Sequence, residues 1–274
     1  MPATPFTDPN VVAGPLYATA GRLAQRTSAL HAAKISGGDA TTTIVDLAAR
    51  SSASAPVVGD LGCGRGTTTL QLAARLTPQR LIAVDQSQAL LDTVAERLGD
   101  AGYPVETMRA DFHHLPLPDA ILDVAVAAFC LYHSPHPEHV VAQIARCLAP
   151  DGRAVLVTKS ADSYHEIDRL IADTGLDQHA TERASLYTTF HSDSAPDVVA
   201  SSLQVQKVVH QQHVFQFAGL DQLASYVATS PKYHLPEHLT GGPAGQLAQE
   251  LHRRLSDRPI TTTSTITYIA ATRQ

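Results

Sequence analysis

The run Asp60-Leu61-Gly62-Cys63-Gly64-Arg65-Gly66-Thr67 constrains this chain more than any other feature. It follows an apolar run, 57–61, and precedes a helical period, 67–76. Glycines at alternate positions permit a tight turn and let the backbone approach a ligand closely. Beyond it, short runs rich in Val, Ile and Leu recur at 81–84, 105–109, 122–129 and 154–158. That is the pattern of strands buried on both faces. Helical periods at 87–98 and 138–149 separate them. Repeated strand–helix alternation predicts an α/β fold: a Rossmann-like, mostly parallel sheet with helices on both faces and right-handed crossovers.

The flanks read differently. Leu16, Leu23 and Leu30 recur at helical spacing, so 16–34 is predicted helical, ended by Gly37-Gly38, with Asp39 able to cap a helix at 40–50. Residues 1–50 are expected to form a helical cover, and 51–274 the main domain with an insertion at about 160–200. A helix is predicted near 163–173. The Thr- and Val-rich segments 203–217 and 261–272 carry a period of two and read as long strands, with helices at 220–229 and 243–256 between them.

A glycine-rich turn alone is shared by many nucleotide-binding enzymes, so its company decides. Asp85 ends the second strand, 19 residues after Gly66. A carboxylate there either accepts hydrogen bonds from a ribose diol or caps the next helix. Asp111, after the third strand, either takes the amino group of an adenine or caps a turn, and Phe112 either packs on that ring or joins the core. Asp60 precedes the first glycine. Its charge would repel a pyrophosphate and attract an ammonium group, which favours S-adenosylmethionine (SAM) over a dinucleotide.

On these residues, segment 57–158 resembles the class I SAM-dependent methyltransferases, especially their small-molecule subgroup. The matching features are the Asp60–Gly66 loop, Asp85, Ala110-Asp111, the Phe129–His133 segment and Pro150-Asp151-Gly152. The resemblance implies a seven-stranded sheet with an antiparallel last strand and SAM as cofactor. It assigns cofactor contacts to Asp60, Gly62, Cys63, Gly64, Gly66, Asp85, Gln86, Ala110, Asp111, Phe112 and Phe129. It also implies an N-terminal helix over the cofactor, from which Tyr17 would reach the methionine end.

SAM carries its own activated methyl group, so such an enzyme mainly orients an acceptor and excludes water. Candidates on the reaction side are Tyr132 and His133, after the fourth strand, and Tyr17. His133 has the intrinsic pKa of a general base, or serves as a supporting hydrogen-bond partner. Tyr164, His165, Glu166, Tyr187 and His191 are candidates for an acceptor pocket. No metal is expected: Pro135 and Pro137 break the spacing of His133, His136 and His139.

The net charge of −6, without a Lys/Arg run, argues against nucleic acid. The uncharged stretch 124–137 is too short for a membrane span, and the first 15 residues lack a signal-peptide pattern. Cys63, Cys130 and Cys147 show no paired spacing and read as free thiols of a cytoplasmic protein. The function expected is methyl transfer to a small molecule, in specialised metabolism. Two other readings stand beside it: a SAM-consuming cyclase yielding azetidine-2-carboxylate and methylthioadenosine, and a SAM-binding protein without turnover.

Overall fold

The computed structural model describes residues 6–8, 11–12, 20–51, 53–239 and 244–274. Helix α1 (Ala20–Ala33) leads into strand β1 (Lys34–Ser36) and helix α2 (Ala40–Ala48). The alternating region follows as β2 (Val57–Leu61), α3 (Thr67–Leu76), β3 (Arg80–Asp85), α4 (Gln88–Asp100), β4 (Glu106–Arg109), β5 (Leu122–Ala128), α5 (Pro137–Cys147) and β6 (Leu148–Lys159). Then come α6 (His165–Asp173), α7 (Ala195–Ala200), β7 (Leu203–Phe217), α8 (Leu220–Val227), α9 (Ala244–Arg254) and β8 (Ile260–Arg273).

The sheet order is β1-β7-β8-β6-β5-β2-β3-β4. Strands β4, β3, β2, β5 and β6 are mutually parallel, and β8 runs antiparallel to both β6 and β7. This is the Rossmann-like class I methyltransferase fold, with the antiparallel last strand inserted between β6 and β7. The expected seven strands are β2 to β8. An eighth, β1, adds an edge by pairing antiparallel with β7. It takes the place where the sequence reads as the end of a helix. It is three residues long and its Ile35 is 60% exposed, so it leaves no apolar pattern to read.

Two cores form because alternate residues of each central strand face opposite sides. Val124 and Val126 join Val58, Val155 and Leu72 on one face. Leu122, Ala125 and Ala127 join Leu156, Val140 and Ile144 on the other. Each fully buried Val, Leu or Ile contributes about 1.5–3 kcal/mol. Asp39 caps α2 by accepting from the Thr42 amide at 2.7 Å, and Ser87, not Asp85, caps α4. The Pro150-Asp151-Gly152 turn lies inside β6, where the pairing with β5 shifts register.

The chain runs outward through β2, β3 and β4, then returns to place β5 beside β2. The loops after β2 and β5 therefore part at a topological switch point, where open α/β sheets bind ligands. Helix α1 packs against α8, α4 and β7, which carries it over that edge. Helix α2 packs instead on α3 and against β5, β6 and β8. Among the described residues, no helix is long and apolar enough to cross a membrane, and no group of three or more His, Cys, Asp or Glu is placed to hold a metal ion.

Candidate functional site

A single cavity of about 880 Å³ runs along the carboxyl edge of the sheet and beneath α1. At one end lies the glycine loop. The amides of Gly62 and Cys63 both donate to the Val84 carbonyl, at 2.8 and 3.0 Å, which ties the loop to the end of β3. Gly62 has φ +69°, and a β-carbon there would stand 2.6 Å from Cβ of Cys130. Gly64 has φ +55°, and its missing β-carbon would face the cavity, with Leu23 of α1 the nearest neighbour at 3.8 Å. Only glycine suits either position. The space above Gly64 is a cradle a side chain would fill.

Asp85 lines this end of the cavity. Its Oδ2 accepts from the Gly64 amide and its Oδ1 from the Ser87 amide, both at 3.0 Å. Burial raises its pKa, partly opposed by these backbone hydrogen bonds. Gln86, Cys63, Ala110 and Phe112 line the cavity beside it. Phe112 stacks on His113, with ring centroids 4.9 Å apart.

Three expected contacts fall elsewhere. Asp60 is 2% exposed and sealed beneath the loop, where it accepts from Thr69 Oγ1 at 2.6 Å. Gly66 starts α3, and a β-carbon there would meet Val94, not the cavity. Asp111 is an exposed residue outside the lining. It accepts from the amide and Nδ1 of His113, and the other nitrogen of that ring pairs with Ser134 Oγ at 2.7 Å. Burial raises the Asp111 pKa, but the His113 hydrogen bonds outweigh it and hold the carboxyl below its usual value. Asp111 thus fixes the ring that supports Phe112. Tyr17 lies outside the described residues.

Asp60 carries a pH signature. Burial, with a contribution from the Asp85 charge, raises its pKa to about 6 against the Thr69 hydrogen bond. A carboxyl with a raised pKa binds its proton more tightly folded than unfolded. Stability from this group therefore grows as pH falls from about 6 towards 4, and its penalty is complete above 6. The wild type is expected to lose on the order of 3 kcal/mol from this source across that window. Asp60→Asn cannot ionise, so its melting temperature should vary less between pH 4 and 7. A slope identical to the wild type would show that Asp60 does not titrate there.

The other end is aromatic. Eight of the chain's fourteen Phe and Tyr side chains line this one cavity, so the clustering is not a by-product of composition. Tyr132 stacks on Phe6 at 5.6 Å and meets Tyr187 edge-on at 5.0 Å. Phe129 (φ +57°) and Tyr164 (φ +68°) adopt left-handed backbone. Such conformations cost about 1–3 kcal/mol each and collect at ligand sites. Here the Phe129 amide donates to Val157 and the Tyr164 amide to Thr263, at 2.9 and 2.8 Å, which holds both in place.

His133 closes a short 3₁₀ turn after β5. Its Nδ1 lies 3.0 Å from the Phe6 carbonyl. A carbonyl can only accept, so Nδ1 carries the hydrogen and Nε2 is the basic nitrogen. Burial pushes its pKa down to about 4, with the Arg26 charge also lowering it. The imidazole is neutral at physiological pH. Cys63 and Cys130 have thiols driven far up by burial, so neither is a nucleophile.

Sequence reasoning missed Lys159, Arg26, Phe6, Tyr226 and His213, all of which line the cavity. Lys159 ends β6, and a cation at the carboxyl end of a buried strand was the one signal available. Of the pocket candidates, Tyr164 and Tyr187 line the cavity, whereas His165, Glu166 and His191 do not. Glu166 is held by the hydroxyls of Thr262 and Thr263 at 2.7 and 3.0 Å.

Strand order and the glycine loop after β2 are those of the class I methyltransferase fold. Residues 59–156 match the family described as "Methyltransferase domain". It is 33% identical over 156 residues to trans-aconitate 2-methyltransferase of Acidovorax sp. (strain JS42), covering 53% of this chain and 58% of that one. It is 29% identical over 202 residues to an uncharacterized 37.1 kDa protein in transposon TN4556 of Streptomyces fradiae, covering 67% and 57%. The chain thus spans about half the length of the curated relatives it matches. The solved YcgJ protein of Bacillus subtilis shares the fold, with TM-score 0.59, 18% identity and coverage of 85% and 97%.

Proposed function

We propose that this protein transfers a methyl group from SAM to a small-molecule acceptor. One observation carries the reading: one cavity joins the glycine-loop end, lined by Gly64 and Asp85, to an aromatic end that holds a neutral histidine. The relatives that share the domain include enzymes named for small acceptors, trans-aconitate among them, which supports the class of substrate.

The residues fit SAM. Asp85 is a half-buried carboxylate facing the cavity, and hydroxyl donors from a ribose would favour its charged form. Phe112 and Ala110 offer the adenine a flat wall, and Gly62, Cys63 and Gly64 offer backbone. Asp60 acts through its field, from beneath the loop, in favour of an ammonium group. Gln86 and Phe129 complete the lining. When bound, SAM supplies a sulfonium-activated methyl group. The chain's own residues then orient the acceptor against Tyr132 and Tyr187 and exclude water. His133, neutral and with its tautomer set by Phe6, is the candidate to receive a proton from an acceptor that is itself acidic.

Three buried thiols, none in a disulfide, suit a reducing cytoplasm. The acidic net charge fits a small-molecule enzyme and not a nucleic-acid-binding one. The test is mass spectrometry of the nucleoside products, with SAM alone and with a panel of acceptors. S-adenosylhomocysteine (SAH) appearing only with an acceptor is expected. Methylthioadenosine from SAM alone would replace methyl transfer with cyclisation.

A further inference from the structure

The cavity is charged against the sign of the chain. The protein carries −6 overall, yet five Lys or Arg side chains and two aspartates line this space. Both aspartates are engaged: Asp39 caps α2, and Asp85 holds the amides of Gly64 and Ser87. Several cations outside the cavity are paired with carboxylates, for example Arg146 with Asp119 at 2.6 Å and Arg183 with Asp177 at 2.7 Å. Among the described residues, Lys159 and Arg26 have no such partner.

Lys159 stands inside the aromatic end. Its ammonium lies 4.9 Å from the Tyr164 ring centroid, 5.5 Å from Phe129 and 5.7 Å from Tyr187. It donates one hydrogen bond, 2.8 Å to Tyr164 Oη, although an ammonium has three donors. Nearby, His213 is 1% exposed, lines the cavity, and has no hydrogen-bond partner for its Nε2 among the described residues. A buried polar atom without a partner costs about 1–3 kcal/mol unless something satisfies it. Arg26 also lines the cavity, beside Phe6, whose ring is 6.5 Å from that of Tyr187. Its guanidinium lies 5.9 Å from the Phe6 ring, one arm reaches the Thr229 carbonyl at 3.0 Å, and its buried Nε has no partner among the described residues. Each of these groups is a donor or a cation awaiting an acceptor.

We propose that the acceptor substrate is an organic oxyanion with an apolar, planar body, its carboxylate or phosphate seated on Lys159 and His213, with Arg26 adding positive charge from its place beside Phe6. The inference rests on the methyl-transfer reading and names the substrate class for it. A charge-assisted hydrogen bond to Lys159 answers the missing counterion, and an Nε2–H of neutral His213 gains its missing acceptor. The aromatic rings supply the contact area for the body.

The test uses ligand-observed NMR on the full chain, first saturated with SAH. Cinnamate, cinnamyl phosphate and cinnamamide share one body and differ in the head group. At least one anion is expected to bind about tenfold tighter than the amide, and which one does so distinguishes carboxylate from phosphate. Lys159→Met should reduce that preference to near unity, and Arg26→Gln should weaken it. Should Lys159→Met fail to fold, the three probes on the wild type and on Arg26→Gln decide alone. Equal binding of all three probes overturns the proposal while SAH binding stands. Anion binding that SAH abolishes also overturns it, because the cations then serve the cofactor's own carboxylate. Failure of SAH to bind at all removes the methyl-transfer reading, and this proposal with it.

Discussion

Asp85→Ala is expected to lower the affinity for SAM by a factor of about 30 to 1,000, from the loss of about 2–4 kcal/mol in charge-assisted hydrogen bonds to the ribose. The position explains the size. Asp85 ends β3 inside the cavity, and burial makes its charge costly until donors reach it. A ribose diol supplies two. The substitution also removes both hydrogen bonds to the Gly64 and Ser87 amides. The fold should persist, since β3 stays paired with β2 and β4, but the loop should loosen and the melting temperature fall modestly. Calorimetry reads the affinity and circular dichroism the fold. Wild-type affinity in the folded variant would take Asp85 out of the site.

Removing residues 1–33 is expected to abolish turnover while leaving a folded sheet. The cut stops before Lys34 because β1 belongs to the sheet. It takes away Phe6, Leu23, Arg26 and Leu30 from the cavity wall, and with Phe6 the carbonyl that fixes the His133 tautomer. Water then reaches the reacting centre, and His133 loses its burial. In the intact chain, hydrogen exchange over α1 should slow when SAH saturates the site, because Leu23 stands directly over Gly64. Turnover within twofold of wild type, or unchanged exchange in α1, would make the helix structural packing only.

The sequence revealed most where the structure is periodic. The central residues of β2, β3, β5 and β6 are buried on both faces, so each strand shows as a short apolar run. The long β7 and β8 show a period of two because their faces differ. Strand β1 was illegible: Lys-Ile-Ser is too short for any period, and its pairing with β7 is tertiary.

The site divides the same way. Gly62, Gly64 and Asp85 line the cavity at the fixed offsets of one strand–loop–helix–strand unit, which spacing records. Asp60 and Asp111 had the right residue type, but their partners Thr69 and His113 are a matter of side-chain geometry, which spacing does not record. The aromatic end was hardest. Phe6, Arg26, Lys159, His213 and Tyr226 come from separate segments of the chain, and only the folded sheet edge gathers them.

The Gly64–Asp85 end of the cavity is expected to take an adenosyl amino acid and not a dinucleotide. Titration of the full chain with SAH, and in parallel with NAD, tests it most directly. Saturable one-to-one binding of SAH, with no comparable heat from NAD, is the predicted result, since the charge of Asp60 beneath the loop disfavours a pyrophosphate. NAD binding more tightly than SAH, or SAH giving no heat, would contradict it.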